Sequence, residues 1–442
     1  MRRPPSLAPL LLAAALTAPA RAGETQQDPP KRESLQQFLE HLKSHQLGQS
    51  AQLRSGVDAL LKTMENDATA RRLEALEQAS SKLVALGPEA APLLLEQLDP
   101  GPEATDAQKL RSQYVVRALQ QLASPAATDR LVQLAQSGTI EGRRNAIRVL
   151  ATSPEPLRAA PVLVGIVKAN QVDLRDAALT ALAGLDTPEG DRTLSDSLAD
   201  PNAQVVRTTL EALAQAHNTR LAPRILQIVE VPRDAVQYVD ALLYYYSRVP
   251  AAADKRHVLA LLKLAADFSP PPELRARVLE AIPALTDNKL DADAKRTLKE
   301  LSESPTREVK EAALVVLVLS GDKNARKDLF ADVEIEIGRN KNNGQGYETR
   351  ARLCYRIGDW REAQKDFQTA IKLNAADFRA RPEESYIGLA RCYMQMGKLK
   401  DARDTLEKAP ISLKQLQDLS KELVFQKLLE NPKFRGVFRL DG

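Results

Sequence analysis

Leu198-Ala-Asp-Pro-Asn-Ala-Gln-Val-Val-Arg207-Thr-Thr-Leu210-Glu-Ala-Leu213 decides how this chain is read. A proline-bearing turn comes first, then a base, then aliphatics at helical spacing. The order returns in Arg144/Ile147/Leu150, Arg175/Leu179/Leu182, Arg275/Leu279/Ile282 and Lys310/Leu314/Leu317, with a one-residue drift among the copies. Self-similarity at a period of about 30 to 35 residues marks stacked helical hairpins, an architecture whose usual work is binding. At 442 residues the chain is also longer than one hydrophobic core sustains.

Working outward, the breaks alternate between two kinds. Gly87-Pro88, Ser124-Pro125, Ser153-Pro154 and Thr187-Pro188 open the second helix of a hairpin, because proline suits a helix's first turn. Asp200-Pro201, Val231-Pro232, Ser269-Pro270-Pro271-Pro272 and Ser304-Pro305 separate one hairpin from the next. Residues 66–339 thus divide into about eight units. The unit near 232–267 departs most, with Gln237 and Tyr238 where a base would stand.

The stretch from Leu198 to Leu213 resembles the repeat of HEAT proteins, of the short variety related to phycobilin lyases. So do Val172-Asp-Leu-Arg175-Asp-Ala-Ala-Leu-Thr-Ala-Leu182, Glu308-Val-Lys310-Glu-Ala-Ala-Leu314 and Leu83-Val-Ala-Leu-Gly-Pro-Glu-Ala-Ala-Pro-Leu-Leu-Leu95. The resemblance implies a right-handed α-α superhelix in which an acid and a base after each inter-repeat turn join neighbouring units. Asp173/Arg175, Glu273/Arg275 and Glu308/Lys310 are placed for such a ladder. Ordinary solvated charges at helix starts, worth tenths of a kcal/mol each, are the other reading.

The period changes near residue 340. Asn340-Lys-Asn-Asn-Gly-Gln-Gly346 is a polar, glycine-bearing break and a candidate hinge. Beyond it Ala351, Gly358, Trp360, Ala363, Phe367 and Ala370 recur 39 residues later as Ala390, Gly397, Leu399, Ala402, Leu406 and Ala409. This is similar to a pair of tetratricopeptide repeats, lengthened around Asp377–Arg381 relative to the usual span of about 34. The small residues let helices approach, the glycine turns the chain, and the large apolar residue fills between. Leu413–Phe438 has the apolar spacing of a closing, capping segment.

The expected fold is therefore all-α: 1–22 a signal peptide, 23–65 a polar leader and capping helices, 66–339 the HEAT-like array, 340–410 the tetratricopeptide-like pair, and 411–442 the cap. Glu33–His45 and Ala51–Met64 each carry leucines at helical spacing and are expected to be separate helices.

Arg2 and Arg3, the apolar run Leu7–Leu16 and Ala20-Arg21-Ala22 have the order of a secretory signal, with Gly23 the expected mature start. An uncleaved amphipathic anchor is the alternative. The Ala-rich leader suits a bacterial chain exported to the periplasm or the medium. Removing it lowers the formal charge from +4 to +1, and the remainder is uneven. Residues 339–442 hold 21 Lys+Arg against 14 Asp+Glu, while 23–338 hold 38 against 44. A basic end favours an acidic protein or peptide partner; without dense basic runs and interleaved aromatics it does not point to nucleic acid.

Catalytic signatures do not emerge. There is no Gly-x-Ser-x-Gly elbow, phosphate loop or dinucleotide fingerprint, and no cofactor is expected. His41 and His45 share a helix face at i and i+4, yet no third ligand stands near them, so solvated or packed histidines are the preferred reading. Cys354 and Cys392 lie one residue out of phase with the 39-residue shift, about 100° of helix rotation. Buried small apolar residues are preferred over a disulfide between them, with the exported setting in the disulfide's favour. Tyr244, Tyr245 and Tyr246 are read either as two buried rings and one at the edge, or as an aromatic anchor for a partner.

The tetratricopeptide resemblance implies a ligand groove on first-helix positions, here Arg352, Tyr355, Arg356, Arg391 and Gln395. Three arginines facing one groove suit an acidic peptide or a terminal carboxylate. Alternatively the closing segment covers them. The function expected is an exported, non-catalytic scaffold for protein–protein interaction. A lyase or chaperone-like HEAT protein acting on a ligand or modified protein, or an accessory subunit of a secreted enzyme complex, is the alternative.

Overall fold

The computed structural model describes residues 35–169, 171–374, 382–431 and 433–438, with side chains from residue 50 onward apart from Arg435. The signal-like leader and the lengthened loop at 377–381 lie outside the described residues. Two compact units are distinguished, Met1–Ala59 and Leu60–Gly442. In place of two short helices, one helix α1 (Leu35–Thr69) runs through both expected segments. No proline interrupts it, and Gly48 alone does not stop a helix.

From Leu73 the helices come in pairs joined by short turns. They are α2 (Leu73–Ala85) with α3 (Ala91–Leu95), α4 (Asp106–Leu122) with α5 (Thr128–Ser137), α6 (Ile140–Leu150) with α7 (Pro156–Lys168), and α8 (Val172–Gly184) with α9 (Pro188–Ser197). Then follow α10 (Ala203–Gln215) with α11 (Ala222–Val229), the split helix α12 (Pro232–Ala235) and α13 (Val239–Arg248) with α14 (Lys255–Ala266), α15 (Pro272–Thr286) with α16 (Ala292–Leu301), and α17 (Arg307–Leu319) with α18 (Lys323–Arg339). The last pairs are α19 (Gly344–Arg356) with α20 (Trp360–Asn374) and α21 (Glu383–Gln395) with α22 (Leu399–Lys408). Short helices α23 (Leu413–Leu419) and α24 (Gln426–Glu430) close the chain. Among the described residues no strand occurs.

The pairs stack in two layers. First helices touch in the order α2, α4, α6, α8, α10, α13, α15, α17, and second helices in the runs α5, α7, α9 and α11, α14, α16. The core runs along the contact: Ile147 and Leu150, Leu179 and Leu182, Leu210 and Leu213, Leu279 and Ile282, and Leu314 and Leu317 are all buried. Each hairpin thus covers the apolar face its neighbour cannot cover alone. The prolines act as expected at Pro88, Pro125 and Pro188. In the third hairpin it is Pro156, not Pro154, that occupies the first turn of the second helix.

The drift in the repeated phrase disappears in three dimensions. The residue equivalent to Arg175 and Arg275, fourth in its helix, is Arg143 rather than Arg144; in α10 that position is Val206. Aliphatics then follow four and seven places on in every copy. This arginine turns back to the preceding helix: Arg143 Nε donates to the Ala135 carbonyl at 2.8 Å, and Arg275 Nε to that of Ala265 at 2.7 Å. Each supplies a cation and a donor to carbonyls left open at a helix C-terminus.

The expected acid–base ladder lies elsewhere. Asp173 offers Arg144 only its carbonyl, at 3.3 Å, and Lys310 reaches Asp332 within its own hairpin at 3.2 Å. Rungs between hairpins form at the starts of the second helices instead. Arg158 pairs with Asp129, Arg220 with Asp191 at 3.0 Å, Lys255 with Asp291 and Asp293 at 3.2 and 3.3 Å, and Arg326 with Asp359. Most of these side chains are exposed, so each contributes about 0–1 kcal/mol; their effect is on register more than on stability.

Candidate functional site

The last two hairpins are built on small residues. Gly358 and Gly397 turn their chains with φ of 83° and 72°, backbone conformations that residues with a Cβ rarely adopt. Ala351, Ala363, Ala370, Ala390 and Ala402 are each fully buried, with Phe367 and Leu406 filling between. Gly388 presses on Phe367 so closely that a Cβ there would stand 2.3 Å from the ring. In the 39-residue register Gly388 matches Thr349, so no repetition in the sequence marks it.

The expected hinge is a packed joint. Gly344 and Gly346 are buried, and a Cβ on Gly346 would meet Ile337 at 2.9 Å. Three ion pairs cross the joint. Arg326 of α18 binds Asp359, and Arg356 Nη2 of α19 donates to Glu280 Oε1 of α15 at 2.8 Å, with Glu311 of α17 at 3.9 Å from Nη1. The glycines here serve close approach, not bending.

These contacts decide which of the expected groove residues are open. Arg356 is held by Glu280. Arg391 is held by Glu422 of the closing segment through two parallel bonds, Nε to Oε2 at 3.0 Å and Nη2 to Oε1 at 2.7 Å. Burial works against the charge on Arg391, yet the bonds from Glu422 hold its pKa above the ordinary value. Arg352 is exposed and stands 3.7 Å from Glu348, whose other oxygen accepts from Ser385 Oγ at 2.7 Å. Gln395 Nε2 donates to Tyr355 Oη at 3.4 Å, linking the two hairpins at an exposed edge.

The three arginines are therefore not a free clamp, which corrects the expectation drawn from the sequence: Arg356 and Arg391 are engaged within the chain. Arg352 lines a cleft of ≈450 Å³ between α17, α18 and α19 with Arg307, Glu308, Glu311, Glu336 and Gln345. Arg307 Nε is paired with Glu311 Oε1 at 2.6 Å.

Of the two readings of the tyrosine run, the structure has two buried rings and one at the edge, and the anchor reading is corrected for Tyr245 and Tyr246. Tyr245 and Tyr246 are fully buried: the Tyr245 hydroxyl donates to the Asn218 carbonyl at 2.7 Å, and the Tyr246 ring stands edge-on to Tyr245 and to His257. Neither can anchor a partner. Tyr244, 40% exposed, is the one ring left at the surface, as a rotation of about 100° per residue requires.

Cys354 and Cys392 are buried free thiols, and burial pushes both up to about 12. They carry no disulfide. His41 and His45 lie on α1 outside the residues whose side chains are described. His257 is packed at the start of α14 between Asp254 Oδ1 at 2.7 Å and the Ala222 carbonyl at 3.0 Å, and His217 contacts the Arg248 carbonyl at 2.9 Å. Among the described residues no group of His, Cys, Asp and Glu is arranged to hold a metal ion.

Residues 128–215 match the family model for HEAT repeats, and residues 357–419 match that for the tetratricopeptide repeat. The chain carries HEAT repeats followed by a tetratricopeptide repeat. The HEAT match runs from α5 to the end of α10. The tetratricopeptide match starts at the turn before α20 and ends with α23. No curated protein matches the chain. Both repeat types suggest a protein-interaction scaffold, and no helix among the described residues is long and apolar enough to cross a membrane.

Proposed function

We propose that this protein is an exported, non-catalytic scaffold that holds a partner polypeptide on the face formed by α19 and α21. Arg352, Tyr355 and Gln395 are its contact row, and Tyr244 is a secondary contact on the HEAT array. One observation carries the reading. Of the five expected groove residues, these three stay off the chain's strong ion pairs, and the Tyr355–Gln395 bond joins two of them across both hairpins. An aromatic ring beside a rotatable amide and a guanidinium suits a peptide backbone with polar side chains.

Support for export is the leader: two arginines, an apolar run and a small-x-small site before Gly23. N-terminal sequencing of the protein recovered from envelope and medium fractions tests it. A first residue of Gly23 supports export, and an intact Met1 opposes it. The lyase reading needs a reachable nucleophile, and the two thiols of this chain are buried with their pKa values pushed away from reactivity.

The scaffold reading is tested by the triple substitution Arg352→Ala, Tyr355→Ala and Gln395→Ala. Partner retention that falls at least tenfold while the helical circular dichroism stays unchanged supports it. Retention equal to that of the unaltered chain rejects it.

A further inference from the structure

One open cleft of the tetratricopeptide hairpins lies off the α19/α21 face. It lies between the two hairpin turns, has a volume of ≈630 Å³, and is lined by Gly358, Asp359, Trp360, Arg361, Glu362, Met396 and Lys398. Trp360 is the sole tryptophan of the chain. The repeat pattern assigns it the same filling role as Leu399, but the two positions differ. Both are partly covered, but Leu399 packs on the buried cluster around Leu406 and Phe425, whereas Trp360 lines the cleft.

The charges around this indole are unbalanced. Asp359 is bound by Arg326, and Glu362 by Lys365 Nζ at 2.8 Å. Both acids at the rim are thereby neutralised. Arg361 and Lys398 are exposed and have no acidic partner among the described residues; the Lys398 ammonium stands 5.8 Å from the Tyr393 ring. An apolar floor of Trp360 and Met396 is thus flanked by two uncompensated cations. That combination complements a segment with an apolar side chain between carboxylates.

We infer that the cleft between the Gly358 and Gly397 turns is a second docking site, which takes an acidic peptide segment by seating an apolar side chain on Trp360 and Met396 and its carboxylates at Arg361 and Lys398. The acidic preference suggested by the basic end of the chain then has a place that Arg356 and Arg391 do not offer. The site goes beyond the contact row on α19 and α21 and stands or falls separately from it.

The single tryptophan makes the test label-free. The full chain is titrated with the peptide Glu-Asp-Leu-Glu-Asp-Phe-Glu and with its amide counterpart Gln-Asn-Leu-Gln-Asn-Phe-Gln, following Trp360 emission. The acidic peptide should give a saturable change, with the amide counterpart at least tenfold weaker. The double variant Arg361→Glu and Lys398→Glu alters only exposed side chains and keeps the tryptophan; it should weaken the acidic peptide at least tenfold. The triple variant of Arg352, Tyr355 and Gln395 should leave it unchanged. No saturable change with the acidic peptide, equal binding of both peptides, or full binding by the charge-reversed variant overturns the proposal. A loss in the triple variant together with full binding by the charge-reversed variant assigns the acidic peptide to the α19/α21 face and overturns it too.

Discussion

Arg391 of α21 and Glu422 of the closing segment face each other in a fork-to-fork pair, with both guanidinium–carboxylate bonds within 3.0 Å. The pair ties the cap across the second tetratricopeptide hairpin, where Phe425 and Phe438 are buried against Leu406. It also removes from the groove one of the three arginines that the sequence places there.

Glu422→Ala should therefore loosen the cap. Both side chains are about a third exposed, so the loss is modest, about 1 kcal/mol in urea unfolding. Amide exchange should rise in residues 413–430 and not in α15 or α17. Unchanged exchange in that stretch would show that the aromatic cluster alone holds the cap.

Gly388→Ala should be far more costly than its chemistry suggests. The new methyl would overlap the buried Phe367 ring, and the two hairpins would have to part; overpacking of this kind costs about 1–3 kcal/mol. A denaturant midpoint within error of the unaltered chain would contradict the packing described for α20 and α21.

Arg275→Ala removes a buried donor that closes the Ala265 carbonyl and lies over Phe268 at 4.7 Å. A loss of about 2 kcal/mol follows from leaving that carbonyl without its charged donor. Arg144→Ala, one residue out of the register, should cost well under 1 kcal/mol. Equal losses from the two variants would refute the register assigned to the repeats.

These arginines show how far the sequence could be read. The aliphatics four and seven places on are periodic and stay in one layer, so the hairpins were legible from the chain alone. The exact base was not: Arg143 and Arg144 are adjacent, and only the direction of each side chain separates the one that turns back to Ala135 from the one that faces Glu141. Site residues were less legible for a related reason. Arg356 finds Glu280 76 residues away and Arg391 finds Glu422 31 away, partners that no local pattern announces. The repeat gives Trp360 only the filling role of a large apolar residue; the surface it lines arises from two turns far apart in sequence.

The thiols give a pH dependence. Burial raises Cys354 and Cys392 from 9.0 to about 12, so the folded state favours their neutral forms. Their contribution to stability is complete below pH 9 and is lost as pH climbs from 9 toward 12. The double variant Cys354→Ala and Cys392→Ala should lose less stability over that interval than the unaltered chain. Iodoacetamide at pH 8 should label neither thiol in the native protein and both in denaturant. Rapid native labelling would contradict their burial.

The central claim, that the α19/α21 face holds a partner polypeptide, is tested most directly by a photo-crosslinking amino acid placed at Gln395 and, separately, at exposed Leu157 on α7, each in the full chain in its own envelope fraction. A discrete protein adduct is expected from position 395, lost when Arg352 and Tyr355 are also replaced by alanine, and none from position 157. No adduct from position 395, or the same adducts from both positions, would contradict it.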